Sequence, residues 1–123
     1  MMKTFALFLF AVMIQLSAFG EDGPVRHVVH FKFKADADPA EVAKVVSAFA
    51  ALQGKIPAIS SIEFGTNMSK EGLNRGLTHC WIVSFKSAAD RDAYLVHPDH
   101  VVFVGLLKPV LAEALVVDFI PTK

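Results

Sequence analysis

The sequence predicts an α+β protein: a ferredoxin-like β-α-β-β-α-β sandwich whose bare sheet face packs against that of a second copy. Three observations lead there. Strands of period two alternate with amphipathic helices after residue 24. The helices supply apolar residues for one face of a four-stranded sheet only. The other face of that sheet still reads as apolar, so it needs a partner.

The chain has 123 residues, one domain's worth. Its hydrophobic fraction of 54% and charged fraction of 20% exclude an intrinsically disordered chain. Twelve Lys+Arg balance 12 Asp+Glu, which excludes a nucleic-acid binder working by bulk positive charge. A single cysteine excludes an internal disulfide framework and a Cys-rich zinc module.

Residues 1–20 read as a secretory signal peptide, and residues 21–123 as the folded domain. Lys3 is the positive start, Phe5 to Ile14 is unbroken apolar chain, and Ser17, Ala18 and Gly20 are the small residues before a cut expected after Gly20. As a helix that apolar run spans about 15 Å, about half a bilayer core. A secreted or periplasmic protein with no membrane contact after cleavage is therefore expected. Loss of Lys3 leaves 11 Lys+Arg against 12 Asp+Glu, a formal charge of −1. In an oxidising compartment Cys80 is expected to be buried, because it lies within an apolar strand pattern.

The first strand is Val25 to Lys34, with Val25, His27, Val29, Phe31 and Phe33 on the better-buried side. Asp38 is the expected N-cap of the first helix, Pro39 fits its first position, and Glu41 has capping-box spacing. Val42, Val45, Val46, Phe49, Leu52 and Ile56 follow at helical spacing, with Gly54 as the stop and Pro57 as the block to continuation. The second strand is Ser60 to Asn67. A long polar connection over Thr66 to Leu77 leads to the third strand, Thr78 to Lys86. That strand presents His79, Trp81, Val83 and Phe85 on one face. Ser87 opens a short helix that ends near His97-Pro98, Asp99 to Leu107 adds a further turn or two, and Ala114 to Ile120 is the last strand.

Parity assigns Val28, Cys80, Ile82, Val116 and Ile120, with His30, Glu63 and Asp118 among them, to the bare face that a second copy would cover. It points His27 and His79 toward the helices, on adjacent central strands, where the two imidazoles are expected to converge. His100, from the break between helical pieces, and Tyr94, the only tyrosine, are expected over the same floor. His97 and His100 can equally serve as caps at the helix break. A metal set is not assigned, because Pro98 interrupts the pair and no tight ligand spacing follows. Cys80 and His79 lie on opposite faces, so no nucleophilic pair forms, and no phosphate loop is present. Asn67-Met68-Ser69 is a glycosylation acceptor pattern, relevant in a eukaryotic secretory route.

Val25-Arg26-His27-Val28-Val29-His30-Phe31-Lys32-Phe33-Lys34, the Pro57 to Gly65 stretch, Thr78-His79, Tyr94-Leu95-Val96-His97-Pro98-Asp99-His100 and Asp118-Phe119 together resemble the stress-responsive A/B barrel (Dabb) family over about residues 25–121. The resemblance implies a dimeric α+β barrel, in agreement with a homodimer joined through the open sheet face. One plant branch of the family is a polyketide cyclase that performs an intramolecular aldol closure without metal or cofactor. Its functional positions fall on His27, His79, His100 and Tyr94, while Phe49 stands where that branch has a second pocket tyrosine. By that resemblance His100 and Tyr94 are the catalytic candidates, with His27, His79 and Phe49 as substrate contacts and no cofactor; Trp81, on the same strand face as His79, is a further candidate substrate contact. Three functions stay open. The first is an exported dimer that binds a small apolar carbonyl-bearing molecule. The second is a cofactor-free cyclase or lyase with His100 as base, and the third is a structural stress-associated dimer without ligand.

Overall fold

The computed structural model describes residues 23–123; the signal segment read from the sequence lies outside them. The order is β1 (Val25–Phe33), α1 (Pro39–Lys55), β2 (Ile59–Thr66), β3 (His79–Phe85), α2 (Ala88–Val96), α3 (Pro98–Leu107) and β4 (Leu111–Phe119). The four strands form one antiparallel sheet in the order β2-β3-β1-β4, and the helices pack on one of its faces. This is the ferredoxin-like α+β arrangement, with the second helical region divided in two.

Local chemistry accounts for most boundaries. Asp38 caps α1 by accepting from the Ala40 N–H at 2.9 Å, while Glu41 turns outward to Lys44 at 3.2 Å instead of closing a reciprocal box. Gly54 does not end the helix, which runs on to Lys55 and stops where Pro57 makes further turns impossible. Ser87 caps α2 through the Asp90 N–H. Pro98 cannot continue α2 but suits the first position of a new helix, so the chain breaks at His97 and restarts as α3. The connection between β2 and β3 is held at its base: the Asn67 N–H donates to the Thr78 carbonyl, and the Asn74 amide donates to the Leu77 carbonyl. Gly72 and Gly76 take positive φ there.

The core lies between sheet and helices. Val29 and Phe31 of β1, Trp81, Val83 and Phe85 of β3, Val45, Phe49 and Leu52 of α1, Tyr94 of α2 and Phe103 and Leu107 of α3 are all buried. Phe49 stacks on Trp81 with centroids 4.1 Å apart and also meets Phe103 at 4.7 Å.

The pairing of β1 with β4 corrects one face assignment. Val28 is opposite Val117, and His27 is opposite Asp118. Directly opposed residues share a face, so Asp118, Val116 and Ile120 lie on the helix side, and Ile120 packs against the core. The open face carries Leu115, Val117 and Phe119 instead, each about half exposed (47%, 53% and 48%). Cys80 is on that open face opposite His30, as parity assigned it, and is a partly buried free thiol.

Candidate functional site

Two central strands and the broken helix build the site. His27 is buried on β1. Its Nδ1 lies 2.6 Å from Asp118 Oδ1 of the neighbouring strand. An ionised carboxylate can only accept, so Nδ1 carries a proton, and in the neutral ring the lone pair is then on Nε2. The second carboxylate oxygen accepts from Arg91 Nη1 on α2 at 3.0 Å, and Arg91 Nε also donates to Asp92. Arg91 thus ties α2 to β4 while Asp118 holds the imidazole. The two carboxylates that bind it raise the guanidinium pKa further above its ordinary value.

Tyr94 is 1% exposed. Its ring meets His27 at 5.6 Å and His100 at 4.4 Å, and so lies between the two imidazoles. Burial, then the negative charge of Asp118, pushes the phenol pKa well above its ordinary value. Tyr94 therefore stays a neutral O–H donor at any physiological pH. His100 Nδ1 donates to the Leu95 carbonyl at 3.1 Å, which leaves its Nε2 as an acceptor. Burial lowers the His100 pKa; the Leu95 carbonyl partly opposes this and the nearby His27 adds to it. The cluster therefore presents two imidazoles with bare Nε2 atoms beside one phenolic donor. That set can bind a carbonyl oxygen at the phenol and take a proton from the adjacent carbon.

The structure brings His27, Tyr94 and His100 together but sets His79 apart. His79 is on the same face as His27, as parity requires. It is opposite Phe31, however, whereas His27 is opposite Val83. Four residues of strand place the two imidazole positions about 13 Å apart, so they do not converge. His79 packs edge-on to Phe33 at 5.0 Å and pairs with the Thr78 hydroxyl at 2.8 Å, and burial lowers its pKa. Phe49 and Trp81 form the aromatic floor between these two ends. His97 caps α3 by accepting from the Asp99 N–H at 3.1 Å. Both histidines of the helix break thus also satisfy backbone groups, His97 at the start of α3 and His100 at the end of α2. Among the described residues no group of three or more His, Cys, Asp or Glu is placed to hold a metal.

Asp118 and Arg91 were not among the sequence-derived site residues. The available signal was an acid inside an otherwise apolar last strand, Leu115-Val116-Val117-Asp118-Phe119.

A four-stranded ferredoxin-like sheet with a carboxylate-held histidine and a buried tyrosine under its helices defines an α+β barrel-type domain. The stress responsive A/B barrel domain (Dabb) family model matches residues 25–121, and the chain belongs to that family. It is 32% identical over 101 residues to the stress-response A/B barrel domain-containing protein HS1 of Arabidopsis thaliana, covering 82% of this chain and 93% of that protein. It is 27% identical over 99 residues to olivetolic acid cyclase of Cannabis sativa, covering 80% of this chain and 98% of the cyclase. A crystal structure from Bacteroides fragilis, described as a dimeric protein of unknown function with a ferredoxin-like fold, superposes with a TM-score of 0.66 at 28% identity, covering 82% of this chain and 99% of that one.

Proposed function

We propose that this protein is an exported homodimer that binds a small, apolar, carbonyl-bearing molecule at the His27–Tyr94–His100 cluster. The observation that carries the reading is the His27–Asp118 pair. A buried imidazole held at 2.6 Å by a carboxylate from another strand, beside a buried phenol, is an oriented acceptor and not a passive core residue. The half-exposed row Leu115, Val117 and Phe119 supports pairing through the open sheet face, as does the dimeric Bacteroides relative. The pattern of residues 1–20 supports export to a secreted or periplasmic location. An intact mass beginning at Glu21 is the expected result for processed protein; a retained Met1 would refute the cleavage.

Calorimetric titration with benzoylacetone, an enolisable apolar diketone, tests the site. Tyr94→Phe and His100→Ala are expected to weaken binding by roughly tenfold each, as loss of one hydrogen bond to a buried ligand implies. His30→Ala, on the opposite face, should leave binding unchanged. Equal losses at His100 and His30 would remove the site.

A second reading is aldol-type cyclisation, favoured by the similarity to olivetolic acid cyclase across 98% of its length. His100 Nε2 would take the proton from a carbon between two carbonyls while the Tyr94 O–H holds the enolate oxygen. The carbon would then attack a carbonyl further along the same chain, and the resulting alkoxide would recover the proton. A positioned base of this kind contributes roughly 10²–10⁴-fold. Turnover of a linear poly-β-ketone that is lost in His100→Ala and kept in His30→Ala would select this reading over simple binding.

A further inference from the structure

The indole N–H of Trp81 is buried and finds no hydrogen-bond acceptor among the described residues. The side chain is 1% exposed, and the Phe49 and Phe64 rings both lie nearly parallel to it, at 4.1 Å and 16° and at 4.6 Å and 19°. Phe31 closes a third side at 6.3 Å. A donor that gives up water without gaining a partner costs roughly 1–3 kcal/mol, and such a group in a native fold requires an explanation.

We infer that Trp81 Nε1 is the hydrogen-bond donor of a ligand subsite, and that the subsite takes the carbonyl oxygen of a neutral, flat, apolar molecule. The surroundings and the chemistry of the acceptor together fix that class. The neighbours are phenyl rings, which exclude an unpaired charge. A carbonyl accepts without bringing any donor of its own. A water or an alcohol brings O–H groups that need further acceptors, and a buried water typically needs about three hydrogen bonds. The parallel rings of Phe49 and Phe64 show that the indole already favours stacked aromatic partners.

Phe64 supplies the way in. It lies on edge strand β2 and is 53% exposed, although it covers the buried indole. Rotation of that one side chain opens Trp81 from the β2 side, and a ligand entering there must bring its carbonyl to the ring edge, because the indole N–H lies in the ring plane. Trp81 is opposite Val29, one alternation along β1 from His27. The indole and His27 thus lie on the same face of adjacent strands. The subsite thus rests on the ligand-binding reading above and specifies how the carbonyl compound is seated.

Trp81 is the only tryptophan, so one indole cross-peak in a ¹⁵N-correlated NMR spectrum of the processed dimer reports on it alone. The probes are butyrophenone and butylbenzene, which differ by a carbonyl in place of a methylene. The ketone is expected to bind roughly three- to tenfold more tightly and to move the indole N–H further downfield than the hydrocarbon does. Trp81→Phe should bring the two affinities together while retaining hydrocarbon binding. Phe64→Ala keeps the donor and should preserve the ketone preference while speeding entry, so the test does not depend on one variant folding. Equal affinities in the unmodified protein, or an unchanged preference in Trp81→Phe, would overturn the subsite. So would a long-lived water at the indole N–H that the ketone does not displace. Ketone binding that shifts His27 and His100 but not the indole would overturn the subsite and leave the ligand-binding reading standing. Failure of both probes to bind would overturn both.

Discussion

Asp118 joins two elements through a single carboxylate, and Asp118→Asn separates its two roles. The change is nearly isosteric and removes one charge. Oδ1 now accepts from His27 at 2.6 Å and Oδ2 from Arg91 at 3.0 Å. An asparagine side chain has one acceptor and one donor end. Whichever way it turns, one of these two donors faces an N–H₂ group. The Arg91 and Asp118 side chains are each 26% exposed, so water can recover much of the lost Arg91 bond. The His27 side chain is only 7% exposed and has little such recourse. The amide should therefore give its oxygen to His27 and repel Arg91, or leave a buried imidazole donor unpaired at a cost of roughly 1–3 kcal/mol. The first outcome loosens α2 from β4; the second keeps that link and loses the side-chain bond between β1 and β4. For a domain of about 100 residues, 1 kcal/mol moves the melting temperature by about 4–8 °C. The expected drop is therefore about 5–15 °C in a circular dichroism melt. It should be smaller when Arg91→Met is already present, because the two changes share a partner. A melting temperature within about 2 °C of the parent, with the two substitutions additive, would refute the proposed coupling.

Other consequences follow from the same packing. Phe49→Ala removes a ring stacked on Trp81 and touching Phe103 and should cost roughly 3–5 kcal/mol in urea unfolding; a loss under 1 kcal/mol would contradict that core. His79 and His100 have folded pKa values below the ordinary 6.5, so the folded state binds fewer protons than the unfolded one. The stability they contribute is present above the ordinary value and lost as pH falls through their lowered values. Melting temperature should therefore fall between about pH 6.5 and pH 5 and fall less in His79→Gln/His100→Gln, and identical profiles would count against these partly buried imidazoles being held neutral. Val117→Glu places a charge on the open face, on edge strand β4 opposite Val28. Light scattering should then show monomer where the parent is dimer; a surviving dimer would mean that another surface joins the copies.

Much of the fold was legible because local rules and global packing agree. The alternation in β1 and β3 names their buried sides residue by residue. Asp38-Pro39 starts α1, and Ser87 starts α2. Pro98 marks the helix break, although Pro98–Leu107 makes a longer helix than a turn or two. The site was legible in part. His27, Tyr94 and His100 could be placed under one helical layer because each lies on an element with a clear buried side. Family resemblance, carried by Tyr94 to His100 and Asp118-Phe119, pointed to the same residues.

Two features of the site needed the pairing of distant strands. Parity says which face His79 and His27 share, but it is blind to position along the strand. Only the antiparallel register shows Phe31, not His27, opposite His79. In β4 even the face was hidden. Leu115, Val116 and Val117 are apolar in succession, so no alternation marks which side is buried, and the pairing shifts register at Lys32/Phe33. Asp118 could be assigned to a side only once His27 stood opposite it. The sequence by itself thus determined the elements, the core side of the central strands and the candidate histidines, because these depend on contacts near in sequence and on a period of two. The tertiary structure decided which carboxylate holds His27 and how far His79 lies from it. It also left the Trp81 donor without a partner among the described residues, because these features depend on the register between strands far apart in the chain.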